Sequence, residues 1–212
     1  MSELPEIVYV GAVPYKVIFP FKFDVNPYDY IGLHCPYIAE IRISDISIGG
    51  RPICEQTLKE TFLHEIVHAV DSIYCGRILE EDIVAKTSFN LFQILCENDF
   101  TKDLDKVKIG AFIFNIKTDC MFSDNDILTH WCSMIDTIKI VESVDGIKIN
   151  PVFTRMMVFT TVMRVMYDLN KIDLPELNEE MDKREVLHRI LFSGLYDTLS
   201  KNNLFEFFYN GK

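Results

Sequence analysis

Basic residues are few in this chain: 21 lysines and arginines stand against 32 aspartates and glutamates over 212 positions, a formal charge of −11. No clustered lysine or arginine stripe offsets that balance, which argues against a phosphate-binding surface and removes nucleic acid from the expected partners. Long apolar runs are missing as well. No segment reaches the roughly 20 residues that span a bilayer. The opening Met1-Ser2-Glu3-Leu4-Pro5-Glu6 has no basic region ahead of an apolar stretch, so neither a membrane partner nor a signal peptide is expected. The six cysteines, at 35, 54, 75, 96, 120 and 132, form no C-x-x-C pair, and free thiols in a reducing, cytoplasmic compartment are the expectation. Glycine-rich phosphate loops, nucleotide fingerprints and a Ser/His/Asp constellation are also absent, which leaves nucleotide and nucleophilic chemistry without a foothold.

Histidine is scarce too, yet two of the five fall four residues apart in His64-Glu65-Ile66-Val67-His68. On a helix that spacing puts both imidazoles on one face, about a turn apart, where they can share one metal ion. Glu65, next to the first, is placed to act as a base on a water that a Zn²⁺ ion acidifies. Leu58, Phe62, Ile66, Ala69, Val70 and Ile73 recur at helical spacing around the motif, and Cys75-Gly76 supplies a stop. Thr57 followed by Glu60 reads as a capping box that starts the helix just before the apolar run. His34, His130 and His188 lack metal spacing to anything nearby and are expected on the surface or in the core, as is Trp131 in the core.

A catalytic zinc takes about three protein ligands and keeps one position for water. The stretch from Arg77 to Asn98 reads as a second helix with acids in its first turn, and a short link would return that turn to the end of the histidine helix. Glu81 is taken ahead of Glu80 as third ligand. Asp71, three residues past His68, is an alternative ligand or an orienting partner of a histidine, and Cys75 is a weaker one.

Glu60 through Asp71, containing the H-E-x-x-H run, resembles the active-site helix of small phage-type metallopeptidase-like proteins of the zincin class, distant relatives of the ImmA/IrrE peptidases. Val10-Gly11 with Tyr15-Lys16-Val17 is similar to that family's opening hairpin, Ile41-Arg42-Ile43 to its strand before the helix, and Glu81 through Asn98 to its following helix. The resemblance covers residues 7 to 100. It implies a zincin-like fold, Zn²⁺ held by His64, His68 and Glu81, Glu65 as base, and, for a phage-encoded chain, residence in the host cytoplasm.

The chain also resembles itself. At an offset of 97, residues 35 to 71 and 132 to 168 share eight identities, among them Cys35/Cys132, Ile41/Ile138, Thr57/Thr154, Phe62/Phe159 and Asp71/Asp168, which suggests a diverged duplication. Val8, Gly11 and Ala12 match Val107, Gly110 and Ala111, and Glu81, Leu91, Leu95 and Asn98 match Glu185, Leu195, Leu199 and Asn202. The counterparts of His64, Glu65 and His68 are Thr161, Val162 and Val165, so one half alone can carry the chemistry.

The expectation is an α+β chain of two similar lobes related by a pseudo-twofold duplication, residues 1–103 and 104–212. Each lobe is a small, mostly antiparallel sheet with two helices; the strands lie at 7–10, 15–19, 39–44, 107–109, 111–116 and 137–141, with Asp145-Gly146 as a hairpin turn. The strand 39–44, if it forms a sheet edge beside the cleft, would pair with an extended substrate backbone. The expected function is a zinc-dependent peptidase acting on a peptide or protein, as a monomer or in an oligomer. The alternative is a catalytically silent binding or inhibitory protein on the same scaffold. The acidic run from Glu176 to Glu185 is read as a solvated connection, and the tail Leu204 to Tyr209 as docking on the body.

Overall fold

The computed structural model describes residues 3–23, 31–47, 49–121, 128–132, 136–144, 146–175 and 181–209, with the backbone alone at 132 and 181–185. Asp145 of the expected hairpin turn and residues 176–180 of the acidic run lie outside the described residues.

The chain is α+β. Strands β1 (Ile7–Val10), β2 (Val13–Ile18), β3 (Gly32–Cys35) and β4 (Glu40–Ile43) form one sheet in the order β1-β2-β4-β3. The helices α1 (Glu55–Val70) and α2 (Glu81–Glu97) follow. Strands β5 (Lys106–Ile109), β6 (Phe112–Cys120), β7 (Thr129–Cys132) and β8 (Thr137–Val141) repeat that order as β5-β6-β8-β7. A short ribbon of β9 (Ser143–Val144) and β10 (Ile147–Lys148) leads to helices α3 (Pro151–Asn170), α4 (Met181–Lys201) and α5 (Leu204–Phe208).

Alternation drives the strands: in β1 Val8 and Val10 are buried while Ile7 and Tyr9 are exposed, and Val107 and Ile109 of β5 do the same. Gly11 and Gly110 turn the two opening hairpins with φ of +58° and +60°, a region other residues enter only at a cost. Both sheets are mixed. The outer pairs are antiparallel and the central pairs, β2 with β4 and β6 with β8, are parallel. The strand at 39–44 is therefore not an edge: β4 is hydrogen-bonded on both sides, and β3, a strand that no apolar alternation announces, takes the edge instead.

Contacts divide the chain into two compact units, Met1–Phe92 with Leu174–Leu204, and Gln93–Asp173 with Phe205–Lys212. The division differs from a simple cut between 103 and 104, because α4 packs on β1 and α1 of the first unit. Gly194 brings α4 so close that an added Cβ would lie 2.9 Å from the Tyr74 ring. At the end of α4 the Asn202 side chain accepts the Tyr9 N–H and donates to the Tyr9 carbonyl, both at 2.8 Å, as a neighbouring strand would. In the second unit Asn98, at the end of α2, makes the same two bonds to Lys108 of β5, also at 2.8 Å. In that unit Phe100, Phe159 and Phe205 pack ring on ring, which docks the C-terminal tail.

The described cysteine side chains, 35, 54, 75, 96 and 120, form no disulfide with one another. No described helix is long and apolar enough to cross a membrane. Replacing Asn98 or Asn202 by alanine strands a strand peptide without its partner. Each change is expected to lower the unfolding free energy by about 1–3 kcal/mol, read from urea denaturation, with the more buried Asn98 costing more.

Candidate metal centre

Helix α1 begins one turn earlier than a Thr57 cap requires. Cys54, extended at φ −76° and ψ 162°, is the N-cap without a side-chain bond, and Thr57 sits inside the first turn with its hydroxyl 3.2 Å from Cys54 Sγ. The capping box is not formed, because Pro52 and the extended Cys54 already set the entry into the helix. Leu58, Phe62, Leu63, Ile66, Val67, Ala69 and Val70 are buried, which rolls His64 and His68 to the border of the apolar face.

After Val70 the helix widens into a π-turn over Asp71–Cys75, closed by Gly76 at φ +80°. Such single-turn widenings redirect a chain without ending its hydrogen bonding. The Asp71 carboxylate, buried, accepts the N–H groups of Ile78 (3.2 Å) and Leu79 (3.3 Å). It ties down the link that delivers α2, and its burial raises its pKa while those two N–H groups lower it. Asp71 is thus a scaffold group and not a member of the donor cluster. Glu80 is exposed, and its carbonyl starts α2 by accepting from Ile83 and Val84; its neighbour Glu81 turns toward the histidines.

There the donors converge. His64 Nε2 and His68 Nε2 are 3.1 Å apart, Glu81 Oε1 is 3.0 Å from the first and Oε2 is 3.1 Å from the second. Among the described residues these three are the one group of ligating side chains close enough to hold a metal ion. Ligands about 2.0–2.2 Å from a tetrahedral ion lie roughly 3.3 Å from one another, so the set fits such an ion with little movement. His64 is kept from protonation first by burial and then by His68, with Glu81 opposing. The same spacing lets an Nε2–H donate to Glu81 or to the other imidazole, so a metal ion here would compete with protons for the same lone pairs.

Ser88 and Glu60 stand behind His64. Ser88 Oγ, buried on α2, donates to Glu60 Oε1 at 3.2 Å and lies 3.3 Å from His64 Nδ1. With its proton given to Glu60 or to the Ala85 carbonyl, 3.1 Å away, the hydroxyl is free to accept Nδ1–H, the tautomer that leaves the lone pair on Nε2.

Glu65 is almost wholly buried, and its carboxylate accepts the backbone N–H of His34 on β3. Burial pushes its carboxyl up to about 8, the Glu81 charge adds to the rise, and the His34 N–H opposes it. It occupies space that exists because residue 32 is glycine: a Cβ there would strike Glu65 Oε1 and lie 2.8 Å from Thr61 Cγ2. His34, two residues on and so on the same face of β3, brings its ring parallel to that of His68, centroids 6.3 Å apart. Its Nε2 is 3.2 Å from the hydroxyl of the buried Tyr15. Burial, helped by the charges of His68 and Arg77, pushes its imidazole down to about 4.

His64, Glu65, His68 and Glu81 are thus brought together as the spacing of the motif and the acidic first turn suggest. His34, Tyr15, Ser88, Glu60 and Gly32 were not read from the sequence, and His34 in particular is no isolated histidine. One signal was available: at the offset of 97, Gly32, His34 and Glu60 stand opposite Thr129, Trp131 and Met157. In the second unit Thr161, Val162 and Val165 are buried in α3, and Thr161 Oγ1 turns back to the Met157 carbonyl at 2.7 Å. That helix is core.

Gly32→Ala is expected to cost about 1–3 kcal/mol by overpacking. The cost should shrink in a Glu65→Ala background, a coupling that a double-mutant cycle in denaturant measures. Neither a protein-family model, nor a curated protein, nor a solved structure matches the chain, so the chemistry of these side chains is the basis for any functional reading.

Proposed function

We propose that the chain is a zinc-dependent peptidase whose first unit holds the ion with His64, His68 and Glu81. The observation that carries the reading is the convergence of two imidazole nitrogens and one carboxylate within 3.0–3.1 Å, beside a second, buried carboxylate. Zinc held by such a set acidifies a water and polarises a carbonyl. Glu65 supplies the base: its carboxylate, steered by the His34 N–H, accepts the proton of the attacking water and returns it to the leaving amine. Ser88 and Glu60 orient His64, and Asp71 holds the link that presents Glu81. The edge strand β3 offers an extended substrate backbone a place to pair. The zincin class and the diverged duplication belong to this proposal, the latter supported by two sheets of one strand order with matching pairings.

A non-catalytic binding role is the second reading. It is favoured by the second unit, which keeps sheet and long helix with Thr161, Val162 and Val165 where donors would stand. Elemental analysis separates the two: a peptidase is expected to hold one zinc per chain and to lose it in His64→Ala, whereas a folded, zinc-free chain favours the binder.

Glu65→Gln is expected to retain zinc while peptide hydrolysis falls by about 100- to 10,000-fold; undiminished turnover removes the mechanism. Ser88→Ala is expected to weaken zinc binding about 10- to 100-fold, measured by competition with a chromophoric chelator.

A further inference from the structure

The two sheets allow a residue-by-residue comparison that rests on hydrogen-bond register. Val8 faces Tyr15 as Val107 faces Phe114, His34 faces Ile41 as Trp131 faces Ile138, and Gly32 faces Ile43 as Thr129 faces Ile140. The Tyr15–His34 pair of the first unit, ring centroids 5.3 Å apart, therefore corresponds to Phe114–Trp131 in the second, at 6.5 Å. Two aromatic rings suffice to fill that place against the sheet. What the first unit adds is polarity, and it adds it in company. Where the second unit has Phe114, Trp131, Thr161, Val162 and Val165, the first has Tyr15, His34, His64, Glu65 and His68. Even Gly32 joins the set, since Thr129 carries a Cβ where no glutamate competes for the space.

Burying a tyrosine hydroxyl costs free energy that phenylalanine avoids, and the second unit's Trp131 gives its one N–H to Asp168, so packing alone does not account for the Tyr15–His34 pair. The hydrogen bond ties the tautomer of His34 to the direction of the Tyr15 O–H. Tyr15 is fully buried, and the hydrogen-bond partner of its hydroxyl among the described residues is His34 Nε2. When the hydroxyl donates, Nε2 accepts and the imidazole proton is on Nδ1. The ring thus has a donor left over, on a histidine whose centroid is 6.3 Å from that of His68 and whose own N–H holds Glu65.

We propose that His34, fixed by Tyr15 as its Nδ1–H tautomer, is a catalytic residue that donates a hydrogen bond to the oxyanion developing on the substrate carbonyl. The proposal rests on the peptidase reading of the site. Tyr15 is then a positioning residue. The donor is neutral, so it stabilises a developing negative charge without repelling a cation held by His64, His68 and Glu81, and being held by Tyr15 and β3 it needs no reorganisation as the charge forms.

The test is calorimetric and needs no turnover. Zinc-loaded full-length protein is titrated with N-phosphoryl-Leu-Phe, which carries tetrahedral oxyanions, and with mercaptoacetyl-Leu-Phe, which reaches a metal through sulfur and carries none at that point. His34→Phe is expected to weaken the phosphoryl compound about 100-fold, to leave the thiol compound within about twofold, and to keep one zinc per chain. Tyr15→Phe, which places in the first unit the residue the second already has, is expected to weaken the phosphoryl compound about tenfold. Equal weakening of both compounds marks a packing role and overturns the proposal, as does a wild-type chain that binds the phosphoryl compound no better than its His34→Phe variant. A wild-type chain that takes up no zinc fails earlier: it removes the metal centre, and this role with it.

Discussion

A carboxylate buried between a helix and the edge of a sheet governs how this molecule is built around its centre. Glu65 has nowhere to go but against β3, so residue 32 lacks a side chain and the His34 N–H is committed to the carboxylate. That docking fixes the rotation of α1 about its axis, and with it the direction of His64 and His68, one residue before Glu65 and three after. An isolated carboxylate in such a place is expensive. The remedy here is partial, a single described hydrogen bond from the backbone, which leaves the group able to gain a proton close to neutrality.

The histidines themselves illustrate how a small donor set is aimed by neutral chemistry. The Ser88 hydroxyl lies between Glu60 and His64, while the π-turn and Asp71 place the first residue of α2 opposite the two imidazoles. None of these supporting groups need carry its charge into the centre. The charge set against the two imidazoles is the Glu81 carboxylate, while the Arg77 charge acts on neighbouring His34.

The local features of the fold were legible because they arise from short-range physics. Apolar alternation marks β1, β2, β4 and their counterparts, glycines at positive φ mark the hairpins, and the four-residue spacing of the histidines marks one helix face. Glu81 was within reach because acids in a first helical turn are a local signal. The edge strand was not, since Gly-Leu-His-Cys shows neither alternation nor β-branched residues, and its pairing is dictated by the strand it lies beside. His34 was set aside for the same reason: it lies 30 residues from His64 and reaches the site only through cross-strand register. The assignment of α4 to the first unit likewise depends on where an asparagine finds a strand to bind, something chain order does not encode.

The two asparagine clasps bear on how small a working version of this molecule can be. Because α4, which seals β1, lies far along the chain from it, the minimal piece containing the His64–His68–Glu81 cluster is discontinuous. A fragment cut near residue 103 would retain all three donors and the base yet leave its outermost strand bare, with an unsatisfied peptide edge open to pairing with other copies. Grafting or minimising the centre therefore calls for a circularly permuted or spliced chain, in which the last helix is carried along with the first hundred residues.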